Sequence, residues 1–291
     1  LERFIDEHMR VYEETKGEKI KTAGRTQPRM SDHTKTTRVT PVDLTVKRIA
    51  PQAIKEDEKR KGDSAIHFYR TPGYEHRGLV VKQALSARTE EALRLEAAAL
   101  FTLAEHMTSG RNRVPAVVLY DTEGKFIVQE RVYGTEALQA VLNGEKTFSQ
   151  VLADTDEWLT ALSNNPSKQN VTVGTMPLYQ KTINRHDYFT QRRGQLPSKH
   201  AEVMRVLQER WARFQTTEPV SLITGDFSPI HFFYAEDGKR YGIDFNAAQI
   251  GSKAEEAGLF LGNAYYHAHR TGMNLGDVRN DIATALEQRK F

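Results

Sequence analysis

The residues Leu222-Ile223-Thr224-Gly225-Asp226-Phe227-Ser228-Pro229-Ile230-His231-Phe232-Phe233, followed by Gly242-Ile243-Asp244-Phe245, govern how the rest of the chain is read. Each half sets a carboxylate directly after a short apolar run. Such runs, bounded by Gly and Pro, are strand signals. A strand end holds an acidic side chain rigidly at the rim of a core, where two carboxylates can converge. The chemistry that uses such a pair is phosphoryl transfer: one carboxylate accepts or orients the attacking hydroxyl and the other holds magnesium on nucleotide phosphates. Taken alone, Gly-Asp followed eighteen residues later by Ile-Asp-Phe is weak evidence, because surface turns contain Gly-Asp constantly.

Three upstream features strengthen it. Val80-Val81-Lys82 places a lysine at the end of an apolar strand, where its ammonium can neutralise phosphate oxygens. Glu96 lies within a helix expected over Thr89 to His106, with Leu93, Ala97, Leu100 and Leu103 on one face and Thr89 as its cap. Lys61-Gly62-Asp63-Ser64-Ala65 is a turn whose backbone N–H groups can cover phosphates, with Gly62 as its one glycine and Ser64 beside it. The order of turn, lysine, glutamate, strand pair, Asp and Asp is the order of parts in protein kinases.

From about Gly62 to Glu256 the chain resembles the aminoglycoside phosphotransferase and choline kinase family, the small-molecule branch of the protein-kinase-like fold. The most specific stretch is Ile223–Phe245, similar to that family's hydrophobic-His-Gly-Asp-x4-Asn … Ile-Asp signature. The resemblance implies that Asp226 is the catalytic aspartate, Asp244 the magnesium-binding aspartate, Lys82 the phosphate lysine and Glu96 its helix partner. It makes Val128-Gln129-Glu130-Arg131-Val132 the hinge that holds adenine, so Gln129, Glu130 and Val132 join the nucleotide-binding set. Gly251 to Glu256 is similar to the family's Gly-Asp-x-x-x-Asp-Leu-Ala continuation, with Glu256 where Asp is common. Two departures stand out: Thr224 replaces the signature histidine, and His231 stands where the family has an asparagine metal ligand. Magnesium prefers oxygen donors. Three readings of His231 therefore stay open: a softer ion such as manganese, a bridging water, or a lost second metal.

The implied fold is α+β and two-lobed, kinase-like, with ATP in the cleft between lobes. Residues 1–48 form an N-terminal helix and basic arm, 49–132 a β-rich N-lobe with one main helix, and 133–291 a mostly helical C-lobe carrying the catalytic and metal-binding loops. Short strands are expected at Val46–Ile49, Ala65–Arg70, Gly78–Lys82, Val114–Tyr120 and Phe126–Arg131. Helices are expected over 2–15, 135–143, 147–163, 198–215, 253–270 and 275–289, with short β segments at Ser221–Thr224, His231–Tyr234 and Tyr241–Asp244. The implied activity is ATP-dependent transfer of the γ-phosphoryl group to a hydroxyl of a small molecule (a sugar, amino alcohol or antibiotic-like acceptor), with Mg2+ or Mn2+. The alternatives are a nucleotide-binding pseudokinase or regulatory module, and an envelope-associated kinase acting on lipopolysaccharide sugars. The stretch from Met176 to Gln215 is expected to help form the acceptor pocket. Arg185, Arg192 and Arg193 in its middle argue for a neutral or anionic acceptor over a polycationic one.

Composition narrows the remaining classes. The chain has 291 residues, 27% of them charged, and no cysteine. That excludes disulfides, thiolate zinc sites, iron–sulfur clusters and a cysteine nucleophile. Between Lys19 and Arg48 eight basic residues face two acidic ones, an excess of +6 against +3 for the whole chain. No aromatic residue interleaves with them, so nucleic-acid bases have no stacking platform. The segment reads as a solvated arm or as a contact to an anionic membrane surface. No apolar run reaches the length of a membrane span and no signal segment opens the chain, so a cytoplasmic or membrane-peripheral protein is expected. The start at Leu1 reads as a fragment or trimmed product. His267-Ala268-His269 has a spacing that turns the two rings apart on a helix, against a metal pair.

Overall fold

A computed structural model describes residues 40–72, 78–107, 110–165, 167, 169–172, 205 and 217–288. The helix expected over 2–15, almost all of that over 198–215, and the acceptor stretch from Met176, Arg205 excepted, lie outside the described residues. The chain divides into two compact units, one of Leu1–Ala98 with Val117–Arg131, the other of Ala99–Ala116 with Val132–Phe291.

The first described helix, α1 (Pro41–Ile49), opens with a capping box. The Thr40 hydroxyl accepts from the Asp43 N–H, the Asp43 carboxylate accepts from the Thr40 N–H, and Pro41 occupies the first turn. These signals outweigh the β-branched Val46-Lys47-Arg48-Ile49, expected as a strand, which forms the helix's last turn. The expected arm boundary at residue 48 falls inside α1. Val42 and Val46 are fully buried against Tyr69, Val81, Phe126 and Val128.

Those partners belong to a five-stranded sheet in the order β1-β2-β3-β6-β5. Its strands are β1 (Ile54–Lys61), β2 (Ser64–Arg70), β3 (Gly78–Ala84), β5 (Val117–Asp121) and β6 (Phe126–Arg131). The strand β1, Ile-Lys-Glu-Asp-Glu-Lys-Arg-Lys, has no apolar alternation to announce it. It is an edge strand, and edges are commonly guarded by charge. Helix α2 (Ala87–Ala104) starts two residues before the expected cap. The Ser86 hydroxyl accepts from the Thr89 N–H, and Thr89 instead donates its hydroxyl to the Asp63 carbonyl at 2.8 Å. The boundary between units falls within α2.

The second unit contains β4 (Asn112–Arg113), β7 (Gly134–Glu136), α3 (Ala137–Leu142), α4 (Phe148–Ser163), β8 (Gln169–Thr172), β9 (Thr217–Ile223), β10 (Phe232–Ala235), β11 (Arg240–Gly242), β12 (Gln249–Ser252), α5 (Lys253–Thr271) and α6 (Leu275–Glu287). Two small sheets result, β4-β11-β10-β7 and β12-β9-β8. Their core is aromatic: Phe227 stacks on Trp158 at 4.7 Å and meets Phe260 at 5.2 Å and Phe232 at 5.9 Å. Beside it the buried Arg240 is neutralised by Asp154 and Glu157. Among the described residues no helix is long and apolar enough to cross a membrane.

Candidate active site

The catalytic-type loop leaves β9 through Thr224 and Gly225. Gly225 has φ +72°, and a Cβ there would stand 2.1 Å from the Ala247 carbonyl oxygen, so this turn requires glycine. Gly225 and Phe227 are buried while Asp226 between them is exposed, which presents the carboxylate outward from a fixed backbone. The loop is tied on three sides. The Phe227 carbonyl accepts from the Asn263 side-chain amide at 3.0 Å, and the Pro229 carbonyl accepts from the Leu138 N–H at 3.2 Å. Beneath it, Glu256 accepts from the Thr224 N–H at 3.0 Å, the Gly225 N–H at 3.2 Å and the Thr224 hydroxyl.

The same loop ends at His231, whose Nδ1 lies 2.9 Å from the Asp226 carbonyl oxygen. The Ile243 N–H donates to the His231 carbonyl at 2.9 Å, which stitches the loop to the residue before Asp244. His231 Nε2 stands 3.7 Å from Asp244 Oδ2. Asp244 has φ +67°, a conformation that non-glycine residues hold only when their surroundings over-determine it. His231 thus links the Asp226 backbone to the neighbourhood of the Asp244 carboxylate. Among the described residues no group of three or more His, Asp or Glu is placed to hold a metal ion.

In the first unit the structure pairs the other expected residues. Lys82 Nζ donates to Glu96 Oε1 at 2.7 Å, with Glu96 fully buried and Lys82 15% exposed. Strand alternation explains the direction: Val81 turns toward α1, and Val80 and Lys82 take the opposite face. Lys82 pairs across the sheet with Ile66 and Ile127, and Val80 with Phe68 and Gln129. Gln129 is buried in β6, Glu130 lies opposite Leu79, and Val132 follows the strand as the first residue of the second unit's longer segment. Gly62 and Asp63 form the two-residue turn between β1 and β2, with Gly62 at φ +58° and Ser64 opening β2 opposite Ala84. The Asp63 carbonyl is fastened by the Leu85 N–H at 2.8 Å.

Two residues with positioning roles went unassigned in the sequence reading, Glu256 as the loop's anchor and Asn263 as its brace. The signal for Glu256 was present: it follows the Ser252–Glu255 capping box and precedes Ala257-Gly258-Leu259-Phe260, an apolar stretch in which a solvated glutamate has no place. Burial pushes its carboxyl up to about 7, against the lowering effect of the Thr224 and Gly225 donors. His267, one turn beyond Asn263 on α5, is held below the usual histidine range by burial, by Arg270 and by His231.

Comparison with known proteins bears on the family and the fold. The sequence matches the family "APH: Phosphotransferase enzyme family" over residues 67–290. No curated protein sequence is similar enough to count as a match. Among solved structures, a thermostable mutant of aminoglycoside phosphotransferase APH(4)-Ia in ternary complex with ADP and hygromycin B is 16% identical. It superposes with a TM-score of 0.55 over 86% of this chain and 83% of its own. The streptomycin-ATP-APH(2")-IIa ternary complex is 12% identical, with a TM-score of 0.51 over 78% of this chain and 75% of its own. The GDP complex of a mutant aminoglycoside 2'-phosphotransferase-IIIa is 16% identical, with a TM-score of 0.53 over 83% and 84%. At these identities the likeness establishes the fold, the kinase-like α+β fold of these enzymes, and the sequence match establishes membership. The chain belongs to the phosphotransferase enzyme family.

Proposed function

We propose that this protein transfers the γ-phosphoryl group of ATP to a hydroxyl of a small molecule. The observation that carries the reading is the single loop that presents an exposed Asp226 on a fixed backbone and closes on His231 and Asp244. In this reading Asp226 accepts a hydrogen bond from the acceptor hydroxyl and takes its proton as that oxygen bonds to the γ-phosphorus. The bond from the γ-phosphorus to the bridging oxygen breaks and ADP leaves. Lys82, oriented by Glu96, neutralises phosphate oxygens. Asp244 and His231 would hold a divalent ion, Mg2+ or Mn2+, which would offset the charge of the phosphates. Gly62, Ser64, Gln129, Glu130 and Val132 contribute to the nucleotide site in the way the family resemblance implies.

The acceptor is neutral or anionic. This is supported by the basic residues Arg185, Arg192 and Arg193 in the stretch assigned to acceptor binding. An acceptor screen that measures ADP release and phosphorylated product, with Asp226→Ala as control, tests both parts. A hydroxylated acceptor should raise ADP release, and Asp226→Ala should lower kcat by roughly 10^2 to 10^4, the usual range for a lost general base. Unchanged turnover in Asp226→Ala would remove the mechanism, and efficient phosphorylation of kanamycin would reverse the acceptor assignment.

A further inference from the structure

His231 stands where the resembled family offers an amide oxygen, and its surroundings make it a ligand of a different kind. Its Nδ1 lies 2.9 Å from the Asp226 carbonyl oxygen. A carbonyl oxygen only accepts, so in the neutral ring the proton sits on Nδ1 and the lone pair on Nε2. Backbone carbonyls fix the tautomer and orientation of metal-ligating histidines in this way. Nε2 then looks toward Asp244, 3.7 Å from Oδ2. That gap is too long for a hydrogen bond. Two adjacent donors that each stand about 2.1 Å from one small divalent ion lie roughly 3.0–3.4 Å apart, so a closing of a few tenths of an ångström brings both onto one ion. Both side chains remain partly open, 18% and 27% exposed.

We infer that His231 Nε2 and the Asp244 carboxylate form a mixed nitrogen–oxygen chelate that selects a first-row transition ion over magnesium for the nucleotide complex. This rests on the phosphotransferase reading for the presence of the nucleotide. Magnesium demands a tight octahedron of oxygen donors, which an imidazole nitrogen fits poorly. Imidazole suits later first-row ions, whose affinity for such sites rises from manganese through cobalt. In the nucleotide complex, phosphate oxygens and water fill the other positions. The selection is therefore a property of the ternary complex.

The test uses the full chain with a methylene-bridged ATP analogue and two probe ions. Mn2+ in the ternary complex should show a directly coordinated nitrogen in pulsed electron paramagnetic resonance. That coupling should change on 15N-labelling of the protein and vanish in His231→Asn. By calorimetry, the ratio of Co2+ to Mg2+ affinity should fall by about tenfold or more in His231→Asn. The wild-type spectrum alone decides the ligand, so a poorly folded variant does not leave the question open. A wild-type complex without protein nitrogen coupling overturns the assignment, as does an affinity ratio unchanged by His231→Asn. Nitrogen coupling without transfer to any acceptor refutes the phosphotransferase reading and keeps the chelate, while transfer without nitrogen coupling does the reverse.

Discussion

Thr224 and Glu256 are, with His231, residues at which the chain departs from the patterns of the family it resembles, and these two meet each other. A shorter side chain where the family has histidine is reached by a longer one where Asp is common, and together they anchor the backbone before Asp226. The anchor titrates. Burial pushes Glu256 up to about 7, the Thr224 hydroxyl and the Gly225 and Thr224 N–H groups restrain it, and Glu255 adds to the rise. An unfolded glutamate loses its proton near 4.5. Between those values the folded state keeps a proton that the unfolded state has released, so stability is largest below about 4.5 and falls as pH rises toward 7. The loss is on the order of 3 kcal/mol. Glu256→Gln cannot titrate and should lack this descent. Urea unfolding at pH 5 and 7.5 should therefore show the stability difference between wild type and variant changing by about that amount. Parallel pH curves for the two proteins would show that burial does not control this carboxyl.

At the scale of elements, the position of Asp244 depends on how closely β11 approaches α4. Gly242 lies against the Trp158 ring, and a Cβ there would stand 2.1 Å from its Cζ2. Trp158 cannot yield freely: it is fully buried, stacks on Phe227 and donates from Nε1 to the Arg113 carbonyl at 3.0 Å. Gly242→Ala should cost about 1–3 kcal/mol by overpacking and lower turnover by displacing Asp244. Adding Trp158→Phe makes room and should recover part of the stability, giving a favourable coupling in a double-mutant cycle. Additive losses would mean that the two residues do not contend for the same space. This approach was invisible in the sequence, because Gly242 reads there only as a strand residue before Ile243-Asp244. The strands β2, β3 and β6 and the helices α4, α5 and α6 were legible because apolar alternation or helical spacing marks them. The edge strand β1 was not, since charge replaces alternation there. The last turn of α1 was misread as a strand because its start signal, Thr40-Pro41-x-Asp43, lies upstream of the β-branched residues. The Lys82–Glu96 pair and the placing of Asp226 and Asp244 just after short strands were legible because apolar runs and a helix interior mark where such residues stand, whereas His231 was singled out only by the family resemblance. The apolar stretch after Glu256 signals its burial, but which loop Glu256 and Asn263 brace follows from the folding-back of α5, which no local pattern encodes.

For the whole molecule, the consequence of α1 is that the end of the basic run, Lys47 and Arg48, lies on a helix built into the first unit. The positive run from Lys19 to Arg48 continues into a helix whose Val42 and Val46 are fully buried in that unit's core. Asp43 on the same helix accepts from the Tyr69 hydroxyl at 2.6 Å and lies 3.6 Å from Lys55. Partial burial raises the Asp43 carboxyl, but the Tyr69 hydroxyl, the Thr40 N–H and hydroxyl, and Lys55 together outweigh it and hold the group at about 2. Removing α1 would expose two valines and their partners, each valine worth about 1.5–3 kcal/mol of burial, and would break the Tyr69–Asp43 bond, worth about 1.5–3 kcal/mol because its acceptor is charged. The sum is comparable with the roughly 5–15 kcal/mol net stability of an ordinary domain. Two truncations separate the roles of the segment. Deleting residues 1–39 leaves α1 and its cap in place, whereas deleting 1–49 removes the helix. The shorter deletion should keep cooperative unfolding of the first unit, and the longer one should lose it, with dye-accessible apolar surface in its place. Membrane-surface binding by the basic residues can then be assayed on the shorter deletion without confusing a lost contact with a lost fold. If both truncations unfolded with the same midpoint, α1 would be an appendage to the first unit and not part of its core.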